Sequence, residues 1–180
     1  MTGTQRGFAL AGNNNRSQRQ ITLIGVGNEY RQDDGVGIFI VRHPALLHFP
    51  DGRVAESQRD GAHLMELWKG AGIVFVFDAV YSRNPVGAIY RLDAMKERVP
   101  GDLFRLSTHS LGIAEAVELS RSQNHLPAEL ILFGIEGKNF GQGQGLSLQC
   151  ENLALKVIRQ VLAEIEKSIR ILSQNADAFF

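Results

Sequence analysis

The chain has 180 residues, a length that suits one domain with an ordinary buried core and no staples. Lys+Arg 19 balance Asp+Glu 19, so no global field draws the protein to nucleic acid or to an anionic membrane. With hydrophobic residues at 44%, charged residues at 21% and one cysteine, Cys150, the composition is that of a globular protein without an internal disulfide or an all-cysteine zinc site.

No apolar run approaches the roughly 18 residues of a membrane span. Residues 1–20 are polar, lack the apolar stretch of a signal peptide and read as a loose tail. A single domain is expected over 21–174, with a short C-terminal tail at 175–180. A cytoplasmic location is compatible with the lone cysteine.

Ile21-Thr22-Leu23-Ile24 is a continuous apolar run ending at Gly25, as in a buried parallel strand. The segment from Gly25 to Gly37 turns out of it. Val36 to Leu47 reads as a helix, interrupted or ended by Pro44. Arg53–Ser57 suits a second strand, and Gly61–Lys69 a helix that buries Leu64, Met65, Leu67 and Trp68. Ile73–Phe77 is the clearest strand and is expected to end in Asp78. After the turn at Asn84-Pro85, Ala88–Leu92 forms a strand too soon for a crossover helix, which suits antiparallel pairing on an edge. Ser110–Ser122 is helical, Glu129–Ile135 is the last strong strand, and Ser147 caps a long C-terminal helix. Strands alternating with helices predict a three-layer α/β/α fold. Its twisted, mostly parallel sheet has about five strands, with antiparallel pairing open to one edge strand.

Three residues stand out. Asp34, Asp78 and His109 each lie where a strand ends or a helix begins, and in an open α/β sheet such edges converge on one crevice. Two carboxylates and an imidazole there form an O, O, N ligand set with open positions. Each has a plainer reading. Asp33-Asp34 can cap the helix that follows, although two aspartates in a row suggest one cap and one ligand. Asp78 can be a turn aspartate, and His109 a packing or surface histidine. His43, His48, His63 and His125 have no partner motif. Asp60-Gly61 sits at the same predicted edge, where an N-cap for the next helix is the simpler role. Cys150 reads as a buried, inert thiol. Gly25-x-Gly27-Asn28 invites a dinucleotide reading, but position 30 is Tyr30 and two acids precede the helix, where a pyrophosphate would be repelled. These glycines either make a tight turn or bring bare backbone close to a substrate peptide. Ser110 lacks a nucleophile elbow.

Taken together, Gly25-x-Gly27-Asn28, Asp33-Asp34-Gly35-x-Gly37, Phe77-Asp78-Ala79 and Thr108-His109-x-x-Gly112 resemble the hydrogenase maturation endopeptidases. The resemblance covers about residues 21–160. Glu56, Asp60-Gly61, Trp68 and Phe133–Gly137 fit one branch. It implies an endopeptidase that removes the C-terminal extension of a nickel–iron hydrogenase large-subunit precursor after nickel insertion. Asp34, Asp78 and His109 would contact nickel carried by the substrate rather than permanently bound. Asp34 or Asp60 would serve as general base, unless the metal itself activates water. Gly25, Gly27 and Asn28 would face the substrate. The partner implied is the precursor alone, met by a monomer. The rival readings are a zinc-dependent hydrolase with a resident metal, a nonenzymatic nickel-binding assembly chaperone, and a nucleotide-binding module.

Overall fold

The computed structural model describes residues 20–47, 52–58, 60–82, 87–104 and 111–177. The N-terminal segment 1–19 and His109 therefore lie outside the described residues, as does the proline turn at 84–85. Five strands form one sheet in the order β2-β1-β3-β5-β4. They are β1 (Ile21–Val26), β2 (Gly52–Ser57), β3 (Ile73–Val80), β4 (Ile89–Asp93) and β5 (Glu129–Glu136). The first, second, third and fifth strands run parallel, and β4 pairs antiparallel with β5 on the edge. Its register, Ile89 opposite Ile135 through Asp93 opposite Ile131, returns the chain alongside β5 rather than beside β3, its predecessor in sequence.

Period-two alternation splits the core between two faces. Ile21 and Leu23 of β1, Phe75 and Phe77 of β3, and Ile131 and Phe133 of β5 face α1 (Val36–Val41), α2 (Pro44–Leu47) and α5 (Leu148–Asp177). Ile24, Val26, Val74, Val76, Leu130 and Leu132 face α3 (Gly61–Trp68) and α4 (Ile113–Ser122). This is the three-layer arrangement expected. Trp68 Nε1 donates to Ser120 Oγ at 3.1 Å and ties α3 to α4 inside the second layer.

Several boundaries differ from expectation. The helix over 36–47 is interrupted at Pro44 as expected and forms two helices. The first ends at Val41, and Pro44 opens the second, where its missing N–H costs nothing. The third strand does not end at Asp78 but runs on to Val80, because Asp78, Ala79 and Val80 continue the ladder opposite Gly134, Ile135 and Glu136. The helix after His109 starts at Ile113, and α5 runs to Asp177. Ser147 caps α5 as expected, its Oγ accepting from Cys150 N at 3.3 Å.

Candidate active site

From β1 the chain goes outward to β2 on one side, and then back past β1 to β3 on the other. The strand order thus reverses between β1 and β3, and a crevice opens at their carboxyl ends. Glycine packing brings α1 down onto it. A Cβ on Gly25 would lie 2.5 Å from the Gly37 carbonyl oxygen, and one on Gly37 would lie 2.2 Å from that of Phe77. Side chains at these positions would hold α1 off the ends of both strands. Gly27 has φ +138, and a Cβ there would meet the Asp34 carbonyl oxygen at 1.8 Å. That conformation is one L side chains rarely adopt.

These contacts set Asp34 beside the end of β3, in a 3-10 turn over Gln32–Gly35 that contacts that strand. Asp34 is buried. Asp78 is buried as well, and its place in the alternation puts it on the α3–α4 face with Val76 and Val80. On that face Gly61 N donates to Leu111 O at 3.0 Å, joining the start of α3 to the residue where the described chain resumes after His109. Burying carboxylates at adjacent strand ends is costly unless they are paired or bind something.

Neither aspartate caps α1. Its N-cap is Gly35, with no side-chain cap hydrogen bond, which corrects the capping expectation. Asp33 instead clamps a distant loop. Its Oδ2 accepts from Lys138 N (2.8 Å), Asn139 N (2.9 Å) and Ser147 Oγ (2.9 Å), and its Oδ1 from Ser147 N at 2.6 Å. Burial alone would raise its pKa. The donors from Asn139, Ser147 and Lys138 outweigh burial and hold the carboxyl below the usual aspartate range. The same seam carries Gln32 N to Gly143 O, Gly143 N to Tyr30 O and Arg31 Nη2 to Phe140 O. Gln32 lies in the left-handed region at φ 51, held there by these bonds. Nothing in the sequence pairs Asp33 with a loop more than a hundred residues away, so its role was invisible there.

Asp60 is exposed and N-caps α3, its Oδ1 accepting from Ala62 N (3.0 Å) and His63 N (3.3 Å). It also lines a cleft of about 440 Å³ with Gly27, Asn28, Ser57 and His63. Gly25 is buried against α1 and does not line this cleft. Arg42 spans the cleft's far wall, bonded to Glu56 (2.7 and 2.8 Å) and to Glu29 (3.1 and 3.4 Å). The Glu56 bonds and then the Glu29 bonds raise the guanidinium's pKa, and it stays charged.

Two residues frame the site without having been given a role from the sequence, one of them inside the Phe133–Gly137 stretch. Glu136, buried at the end of β5, accepts from Ser82 N at 2.9 Å and Ser82 Oγ at 2.8 Å, fixing the chain as it leaves β3. Arg42 is the other. A charge closing an apolar strand was the available signal for Glu136. Cys150 is buried as expected, and burial pushes its thiol pKa up. Among the described residues, no group of three His, Cys, Asp or Glu side chains forms a metal-binding cluster. Two of the three predicted ligands, Asp34 and Asp78, are described. The third, His109, is not.

An open, mostly parallel sheet with helices on both faces and two buried aspartates at its switch point defines a doubly wound α/β protein. The hydrogenase maturation protease family profile matches residues 54–166, well over half of the chain. The hydrogenase expression/formation protein HoxM of Azotobacter vinelandii is 30% identical over 169 residues, covering 88% of this chain and 78% of that protein. Hydrogenase 2 maturation protease of Escherichia coli (strain K12) is 28% identical over 159 residues, covering 83% of this chain and 92% of that one. Among solved structures, the hydrogenase maturating endopeptidase HybD from E. coli superposes with a TM-score of 0.71 at 26% identity, over 83% of this chain and 93% of that one. The chain belongs to the hydrogenase maturation protease family and is an endopeptidase. Among its described residues no helix is long and apolar enough to cross a membrane.

Proposed function

We propose that the protein removes the C-terminal extension of a nickel–iron hydrogenase large-subunit precursor once nickel has been inserted, and that Asp34, Asp78 and His109 recognise that nickel. The observation that carries this reading is the burial of two carboxylates, Asp34 and Asp78, on neighbouring elements at the β1–β3 switch point. Hard oxygen ligands with one imidazole leave positions for the precursor's own groups and hold nickel less permanently than a thiolate cage. Nickel here is part of the substrate, and its arrival completes the site.

The cleft beside this point gives the scissile peptide a place to lie. Gly27 and Asn28 line it, with their N–H groups already given to Ser57 O and Asp34 O, and Gly25 supports them by letting α1 close. Asp60 spends one carboxylate oxygen on its helix cap and lines the same cleft, which supports reading it as the general base for water. Asp34, itself a nickel contact in this reading, is the alternative base. The working partner is the precursor, met in the cytoplasm by a single copy of the protease.

The test is the mass of the large subunit after incubating nickel-loaded precursor with the wild-type protein and with Asp34→Asn, Asp78→Asn and His109→Ala. Wild type is expected to release the extension, and each variant to slow release by about a hundredfold or more. Wild-type rates in all three variants would refute the site. Stoichiometric zinc that survives chelation in the purified protein would favour a resident-metal hydrolase instead.

A further inference from the structure

An endopeptidase must hold a polypeptide on both sides of the bond it cuts. A second cavity, a trough of about 600 Å³, adjoins the cleft at Asp60 and lies between α1 and the end of the loop that follows β5. The two share Glu29, Ile38 and Arg42 as a common wall. Ile38, Phe39, Pro44 and Leu146 give the trough an apolar lining. The loop side is not loose, because Asp33 and the seam from Tyr30 to Gly143 fix it against the 3-10 turn.

The charges differ along the trough. Glu29 and Glu56 are both bonded to Arg42 and are largely spent on it. Glu151, half-buried in the first turn of α5, also lines the trough and makes no ion pair among the described residues. Its carboxylate is the acidic group lining the trough that is not spent on Arg42.

We propose that this trough is the subsite for the precursor chain on one side of the cut, and that Glu151 selects a lysine or arginine side chain there. Asp33 is a positioning residue for the subsite: it touches no substrate and fixes the wall that does. The inference rests on the β1–β3 crevice being the place of cutting. A charge pair made equally by bound substrate and transition state contributes to binding, so its loss reads in KM rather than in kcat.

Photo-crosslinking tests this without requiring cleavage. p-Benzoylphenylalanine is placed at Gln144, on the trough's rim, and as a control at Leu119, exposed on α4 across the sheet. With the full-length nickel-loaded precursor, position 144 is expected to crosslink to residues next to the cut, and position 119 is not. In parallel, Glu151→Lys is expected to raise KM by about tenfold with kcat within about twofold, and Glu151→Gln by less. Reversing one Lys or Arg of the precursor to Glu should then restore cutting by Glu151→Lys. Equal crosslinking from 144 and 119, or an unchanged KM in Glu151→Lys, would overturn the subsite. A crosslink at 144 without any cutting would sink the nickel-gated reading and leave the subsite standing.

Discussion

Four donors from residues 138–147 converge on the Asp33 carboxylate. Asn is nearly isosteric but turns one acceptor into a donor facing donors. Asp33→Asn is therefore expected to lower stability by about 2–4 kcal/mol in urea unfolding, since buried donors lose a charged partner. Ser147→Ala removes one of the four together with the α5 cap bond and should cost about 2 kcal/mol. The pH dependence has a definite sign. The folded carboxyl titrates below its ordinary value of 3.8, so its stabilisation is complete above that value and is lost as pH falls through the folded pKa. The stability gap between wild type and Asp33→Asn should accordingly shrink as pH drops below about 3.8. A gap that widens in acid would contradict the clamp.

Elements transmit this residue chemistry through close backbone packing. Gly37→Ala would force a Cβ to within 2.2 Å of the Phe77 carbonyl oxygen. It is expected to cost about 3 kcal/mol and to displace α1 from β3, seen as a lowered Tm together with lost activity. Arg91 and Glu164, by contrast, join β4 to α5 at 2.9 Å on a partly exposed surface. Arg91→Ala should cost less than about 1 kcal/mol. The cores of β1, β3 and β5 were legible as unbroken apolar runs, and the edge placement of β4 as a turn too short for a crossover. Its partner was not legible, because nothing local distinguishes β3 from β5. The strand end at Asp78 was misread for a related reason. A charge after five apolar residues looks like a terminus, but pairing with Gly134 carries β3 onward and buries the carboxylate. Asp60 as a helix cap was readable from its spacing to Gly61. Asp33 as a loop clamp was not, since its partners lie on the far side of the chain.

At the scale of the whole molecule, the strand order gathers Asp34, Asp78 and Asp60 onto one edge of the sheet, and α1 closes over it. The rest of the fold serves to keep that edge rigid. Trp68 locks the layer of α3 and α4, and the Asp33 seam holds the loop wall. Two buried aspartates beside an open cleft at this edge are what the proposed nickel recognition builds on. The central claim is that nickel in the precursor licenses the cut. The direct measurement is the rate of mass loss from the large subunit in parallel reactions with nickel-loaded and nickel-free precursor, each with wild-type protein. The account predicts loss of the extension from the loaded form and an intact large subunit without nickel. Equal rates from the two forms would contradict it.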